Sequence, residues 1–253
     1  MQQCVVITGG GDSVGRVMAE KFLAQGDRVH ICDVNGDALA ATLAANPGMT
    51  GTVGSVGAPE DVKRIFTEAF VAMGRVDVLV NAVGVAGPHG PIEALDNAAW
   101  EQTININLNG MFYCMKEVLP GMKARRHGVI INFSSGSTRT GLPNRTPYVA
   151  SKYAVEGLTH TAARELGPHN IRCNAILPGA INNRRMQMVI ERNAAAQGLT
   201  PAELKERLLR YISMRTMIEP EELADTVLFL ASNKARHITG QMIEVSGLCE
   251  WEE

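Results

Sequence analysis

Near its start the chain passes from Cys4-Val5-Val6-Ile7-Thr8, a short β-branched apolar run, into Gly9-Gly10-Gly11-Asp12-Ser13-Val14-Gly15. Arg16–Gln25 follows, with apolar residues at helical spacing. The run suits a strand buried on both faces, as in a parallel sheet. Strand, glycine turn and helix together form the geometry in which backbone N–H groups at a helix N-terminus face a pyrophosphate. Arg28–Asp33 reads as a second strand. Asp33 falls roughly 20 residues beyond the glycines, where a carboxylate takes the adenosine ribose hydroxyls. A glycine-rich turn alone is a weak signal; its flanking elements and the spaced acid strengthen it.

The same alternation continues along the chain, with strands expected near residues 3–8, 28–33, 50–54, 76–81, 128–135, 170–177 and 241–245. Apolar strands alternating with amphipathic helices predict a parallel sheet covered on both faces, and 253 residues suit one domain over 1–253. A formal charge of -2 gives no reason to expect nucleic acid or an anionic membrane as partner. No stretch is long and apolar enough to span a bilayer, and the first strand begins almost at Met1, leaving no room for a signal peptide. The five cysteines, Cys4, Cys32, Cys114, Cys173 and Cys249, are odd in number and scattered. They read as free thiols in a reducing cytoplasm rather than as bridges or a metal site.

Ser135 is followed, thirteen residues on, by Tyr148-Val149-Ala150-Ser151-Lys152. A tyrosine and a lysine four apart on a helix share one face, which sets an ammonium beside a phenol. A neighbouring positive charge favours the phenolate, so such a tyrosine can exchange protons near neutral pH. Thr146-Pro147 reads as N-cap and first helical residue, on the opening turn of that helix. An ordinary amphipathic helix would explain the tyrosine–lysine spacing equally well if it stood alone.

Taken together these motifs resemble the short-chain dehydrogenase/reductase family in its compact single-domain subclass, from about Cys4 to Gly247. The resemblance implies a doubly wound Rossmann-type α/β fold with a parallel sheet of about seven strands and a helical substrate lid at about 184–213. The family's T-G-x-x-x-G-x-G motif matches Thr8 to Gly15, with Ser13 where the middle glycine is usual. A serine there still offers its N–H, but its Cβ restricts positive φ. The family's N-N-A-G element reads Asn81-Ala82-Val83-Gly84, its helix asparagine matches Asn107, and its P-G turn is Pro178-Gly179. By resemblance Tyr148 is the general acid–base and Lys152 tunes it and holds the nicotinamide ribose. Ser135 positions the reacting oxygen, and Asn107 holds a proton-carrying water. The implied cofactor contacts are Gly9, Asp12, Ser13, Val14, Gly15, Asp33, Ser55, Val56, Asn81, Ala82, Tyr148, Lys152, Pro178, Gly179 and Ile181. The cofactor expected is NAD, because Asp12 and Asp33 stand where NADP needs a cation for its 2′-phosphate, and Val34-Asn35 adds none. No metal is expected. The family also implies a homo-oligomer, a tetramer or dimer, pairing helices expected at about 97–123 and 147–167.

Substrate identity is less legible. Beyond Pro178-Gly179, Arg184–Gln197 reads as one lid helix, and the capping box Thr200-Pro201-Ala202-Glu203 opens a second that runs to about Ile212. Arg184 and Arg185 open the lid, Arg139 and Arg145 lie between Ser135 and Tyr148, and His89 sits in Gly87-Pro88-His89-Gly90-Pro91. Guanidinium groups around a mouth suit an anionic substrate, although each arginine equally reads as a solvated rim charge or a subunit salt bridge. A lid with Met186, Met188, Met214 and Met217 fits an apolar pocket as well. Three functions follow: an NAD-dependent dehydrogenase of a small, polar secondary alcohol, anionic or neutral; a 3-oxoacyl-type carbonyl reductase; and a non-catalytic NAD-binding regulator.

Overall fold

A computed structural model describes residues 2–249; the ends of the expected 1–253 domain, residues 1 and 250–253, lie outside the described residues. Seven strands form one parallel sheet: β1 Cys4–Thr8, β2 Arg28–Asp33, β3 Thr50–Val53, β4 Val78–Asn81, β5 Gly128–Phe133, β6 Ile171–Pro178 and β7 Met242–Val245. Their order is β3-β2-β1-β4-β5-β6-β7, so each strand falls where the sequence predicts it, within about two residues. The order reverses between β1 and β4, and ligands in such sheets bind beyond the carboxyl ends of the strands at that reversal.

Period-two alternation sends neighbouring side chains to opposite faces. Val5 and Ile7 pack with Met18 and Phe22 of α1, Ser13–Ala24, and with Leu223, Val227 and Leu230 of a helix near the C-terminus. Val6 faces the other way, against Ile65 and Phe66 of a helix over Pro59–Met73 and against Met115, Val118 and Leu166. These two clusters hold the sheet rigid under the site. The remaining helices are α2 Gly36–Ala45, α3 Pro59–Met73, α4 Asn97–Ile104, α5 Gly110–Arg125, α6 Ser137–Thr140, α7 Thr146–Leu166, α8 Arg184–Gln197, α9 Pro201–Arg210 and α10 Pro220–Ala231.

Two local differences from expectation matter for the site. The helix expected over 97–123 is two α-helices joined by a π-turn at Asn105–Asn109, the kind of insertion that re-aims side chains at functional positions. The helix carrying Tyr148 begins at Thr146, not Pro147, with Arg145 in the N-cap position and no side-chain cap bond. The two helices expected beyond Pro178-Gly179 form, the second ending at Arg210, and the Thr200–Glu203 capping box closes in both directions.

Candidate active site

The glycine turn brings α1 close under β1. A Cβ at Gly15 would stand 1.9 Å from the Gly9 carbonyl oxygen, so only glycine permits this approach. Ser13 meets its conformational restriction by adopting the left-handed backbone itself, φ 52°, a conformation that costs a non-glycine residue roughly 1–2 kcal/mol. Its Oγ accepts a hydrogen bond from Asn183 Nδ2 at 3.0 Å. Asn183 Oδ1 in turn accepts from the Met186 N–H and caps α8. The glycine turn and the start of α8 therefore share one side-chain link.

A cavity of about 410 Å³ opens above this turn. It is lined by Gly9 and by Asp12 to Gly15, by Asp33, by Ser55 and Val56, and by Ala82 and Ile181. Asp33 is held from below: Oδ2 accepts from the Gly11 N–H at 3.1 Å and Oδ1 from the Asn35 N–H at 2.9 Å. Asp12 accepts from the Ser13 N–H at 2.7 Å. The Ser55 hydroxyl is taken up locally, accepting from the Gly57 N–H. Asn81 lines neither this cavity nor its neighbour; its buried amide donates to Asn132 Oδ1 at 2.9 Å and braces β4 against β5.

An adjoining cavity of about 340 Å³ holds Ser135, Tyr148, Lys152, Pro178 and Gly179. Ser135 lies two residues beyond the end of β5, and its Oγ accepts from the Ser137 N–H. Lys152 is only 3% exposed; its Nζ donates to the Phe133 carbonyl at 2.7 Å and lies 5.7 Å from the centre of the Tyr148 ring. Burial, reinforced by the nearby Arg185 charge, pulls the Lys152 ammonium down to about 7. Asn107, on the π-turn, is fully buried. Its Oδ1 accepts from the Val85 N–H at 2.8 Å, and its Nδ2 donates to the Val85 carbonyl and to Ser151 Oγ, each at 3.0 Å. The side chain thus clamps the loop after β4 to α7 one residue from Lys152.

Of the five residues considered for substrate, Arg145 and Arg185 line the second cavity. Arg139 pairs with Glu156 at 3.1 Å; His89 and Arg184 are exposed and line neither cavity. Residues outside the sequence reading also appear. Val34, Gly54, Val83, Val85 and Ile106 line the first cavity, and Gly84 and Asn183 line both. Gly84 closes the Asn81-Ala82-Val83-Gly84 element, and Asn183 stands one residue before a helical period, so each carried a local signal. A Cβ at Gly84 would sit 3.1 Å from Lys152 Nζ and 3.7 Å from Asn107 Oδ1. The space over the lysine is thereby kept open where the two cavities meet, as a dinucleotide running between them requires.

All five cysteines are free, four of them buried. Among the described residues no cluster of side chains could hold a metal ion, and no helix is long and apolar enough to cross a membrane.

A family model described as Enoyl-(Acyl carrier protein) reductase matches residues 9–247. The chain belongs to the short-chain dehydrogenase/reductase family. D-xylose 1-dehydrogenase of Caulobacter vibrioides is 37% identical over 240 residues, covering 93% of this chain and 91% of that one. Two solved short-chain dehydrogenase/reductase structures, each 27% identical, superpose closely. NAD+-bound xylitol dehydrogenase does so with a TM-score of 0.90, covering 96% of this chain and 97% of that one. A tryptophan variant of actinorhodin polyketide ketoreductase, with NADPH, gives 0.93, covering 97% and 96%. As a short-chain dehydrogenase/reductase the protein is an oxidoreductase of CH–OH or carbonyl groups that uses a nicotinamide cofactor.

Proposed function

We propose that this protein is an NAD-dependent dehydrogenase that interconverts a small, polar secondary alcohol and its ketone. The observation that carries the reading is Tyr148, Lys152 and Ser135 on one cavity, directly against a second cavity floored by the glycine turn and ended by Asp33. The turn's N–H groups would hold the pyrophosphate and Asp33 the adenosine ribose. When bound, NAD+ supplies the acceptor for the hydride that leaves the carbinol carbon. Tyr148 takes the hydroxyl proton as the C=O bond forms, and Ser135 Oγ holds the reacting oxygen against it. Lys152 sets its amine beside the phenol, where it exchanges a proton near neutral pH, and, near Gly84, faces the place for the nicotinamide ribose. Asn107 holds the loop and α7 in register around them.

The preference for NAD rests on charge. The one cation lining the first cavity among the described residues is Arg185, and it reaches Gly84, away from Asp33. A phosphate dianion beside Asp33 and Asp12 would meet carboxylates only. Relatives named for xylose and xylitol support a small polyhydroxy compound as the substrate class, and the free buried thiols suit a reducing cytoplasm.

The test is initial-rate kinetics with NAD and NADP over a panel of secondary alcohols. The expected outcome is at least ~10-fold higher kcat/KM with NAD, the scale of about 1.4 kcal/mol of unpaired phosphate. Tyr148→Phe should retain NAD binding while losing about two or more orders of magnitude in turnover. Equal use of both cofactors would overturn the charge reading, and near-native turnover of the variant would overturn the role of Tyr148.

A further inference from the structure

The cavity beside Tyr148 is lined by three basic side chains, Arg145, Lys152 and Arg185, and among the described residues by no carboxylate. Arg139, only six residues before Arg145, shows the alternative: its charge is neutralised by Glu156. Neither Arg145 nor Arg185 makes an ion pair among the described residues. Arg145 Nη2 donates to the Ala86 carbonyl at 3.0 Å and its guanidinium stacks 5.1 Å from the centre of the Tyr148 ring. Its Nε is buried with no hydrogen-bond partner. Arg185 reaches across from the lid to the Gly84 carbonyl at 3.2 Å. Burial holds the Arg145 guanidinium below its ordinary range, offset by Tyr148 and deepened by the charges of Arg185 and Arg192. The cost falls on Arg145, the half-buried member of the pair, since Arg185 is exposed. A partly desolvated guanidinium beside other cations without a counterion is costly, and an anion delivered into the cavity relieves that cost.

We propose that Arg145 and Arg185 grip an oxyanion of the substrate, a carboxylate or sulfonate a few bonds from the carbinol, so that the substrate class is a short hydroxy acid. The proposal rests on the dehydrogenase reading above and adds the charged group to it. Guanidinium suits such a group because its N–H fork meets two oxygens at once. Arg145 is the discriminating half of the pair. It lines only the second cavity, whereas Arg185 lines both and so also faces the place of the cofactor's phosphates.

The experiment compares short hydroxy acids, the matching hydroxysulfonates and the neutral methyl esters of the acids as substrates with NAD. The native enzyme should favour an anionic member over its ester by about 10- to 100-fold in kcat/KM, the worth of hydrogen bonds to a charged group. Arg145→Ala should collapse that ratio towards one by raising KM for the anion, with KM for NAD near native, and Arg145→Lys should recover part of it. Fluorescence titration with NADH establishes that each variant still binds cofactor and is folded. Whether acids or sulfonates show the larger ratio identifies the oxyanion. Esters used as well as acids throughout the panel, or an Arg145→Ala variant that loses acid and ester alike, would overturn the anion grip and leave the dehydrogenase intact. Failure to oxidise any alcohol with NAD would remove both.

Discussion

Lys152 shows how much a single buried charge is asked to bear. It is enclosed on nearly every side, and burial has pulled its ammonium down to about 7. The unfolded chain keeps a lysine proton up to its ordinary value of 10.5. Between those two values the unfolded state holds a proton that the folded state has released, so stability rises with pH across that window. Below about 7 both states are protonated and the full burial penalty is present; above 10.5 neither is, and it is gone. Replacing the lysine with an apolar side chain of similar length removes the penalty. Lys152→Met, without cofactor, should therefore gain more melting temperature near about pH 6 than near about pH 10, by at least ~3 °C. Thermal melts followed by circular dichroism check this, and equal gains at both values would contradict it. The same substitution should abolish turnover, which separates what the residue does for catalysis from what it costs the fold.

Between elements, the informative contacts are those that join the nucleotide turn, the π-turn and the lid. Ser13→Gly would relieve the left-handed strain of roughly 1–2 kcal/mol but add glycine's entropy cost of about 0.5–1 kcal/mol. Global melting should then move little. The Asn183 bond to Ser13 Oγ is lost, however, and the N-cap of α8 is left held only by its own turn. Limited proteolysis should cut within 184–197 faster than in the native protein, and an unchanged cleavage rate there would refute the link. The seven strands, the lid pair and its capping box were legible because each rests on local period, cap or turn chemistry. The π-turn was not legible: Asn105–Asn109 continues a helical pattern, and the extra residue shows only in the backbone bond from the Gly110 N–H to the Asn105 carbonyl, beside tertiary bonds from Asn105 to Gly57 and from Asn107 to Val85. The arginines divided for the same reason. Arg139 and Arg145 look alike in sequence, and what separates them is Glu156, which α7 brings to one and not to the other. Asn81 was itself expected as a cofactor contact, yet faces inward to Asn132 because β4 alternates.

At the scale of the whole molecule, α5 and α7 each bury one face on the sheet and leave aromatics on the other. Phe112 is 50% exposed and Tyr153 52%, a pattern suited to two-fold pairing of these helices. Light scattering at micromolar concentration should return a dimer or tetramer, and a monomer mass would exclude the pairing. The apolar interior is divided as unequally as the surface. The two faces of the sheet share large clusters, whereas the lid gathers around four buried side chains, Ala180, Ile190, Ile212 and Met217. A unit with so small an interior opens at a lower free energy than the sheet beneath it. Heating should therefore separate two events. Catalysis should fail first and recover on cooling, while far-ultraviolet dichroism still reports an intact sheet and amide exchange is fast only in 184–210. The temperature at which this enzyme stops working is then set by four side chains under α8 and α9, and its upper limit of use can be raised by filling that small interior without touching a strand.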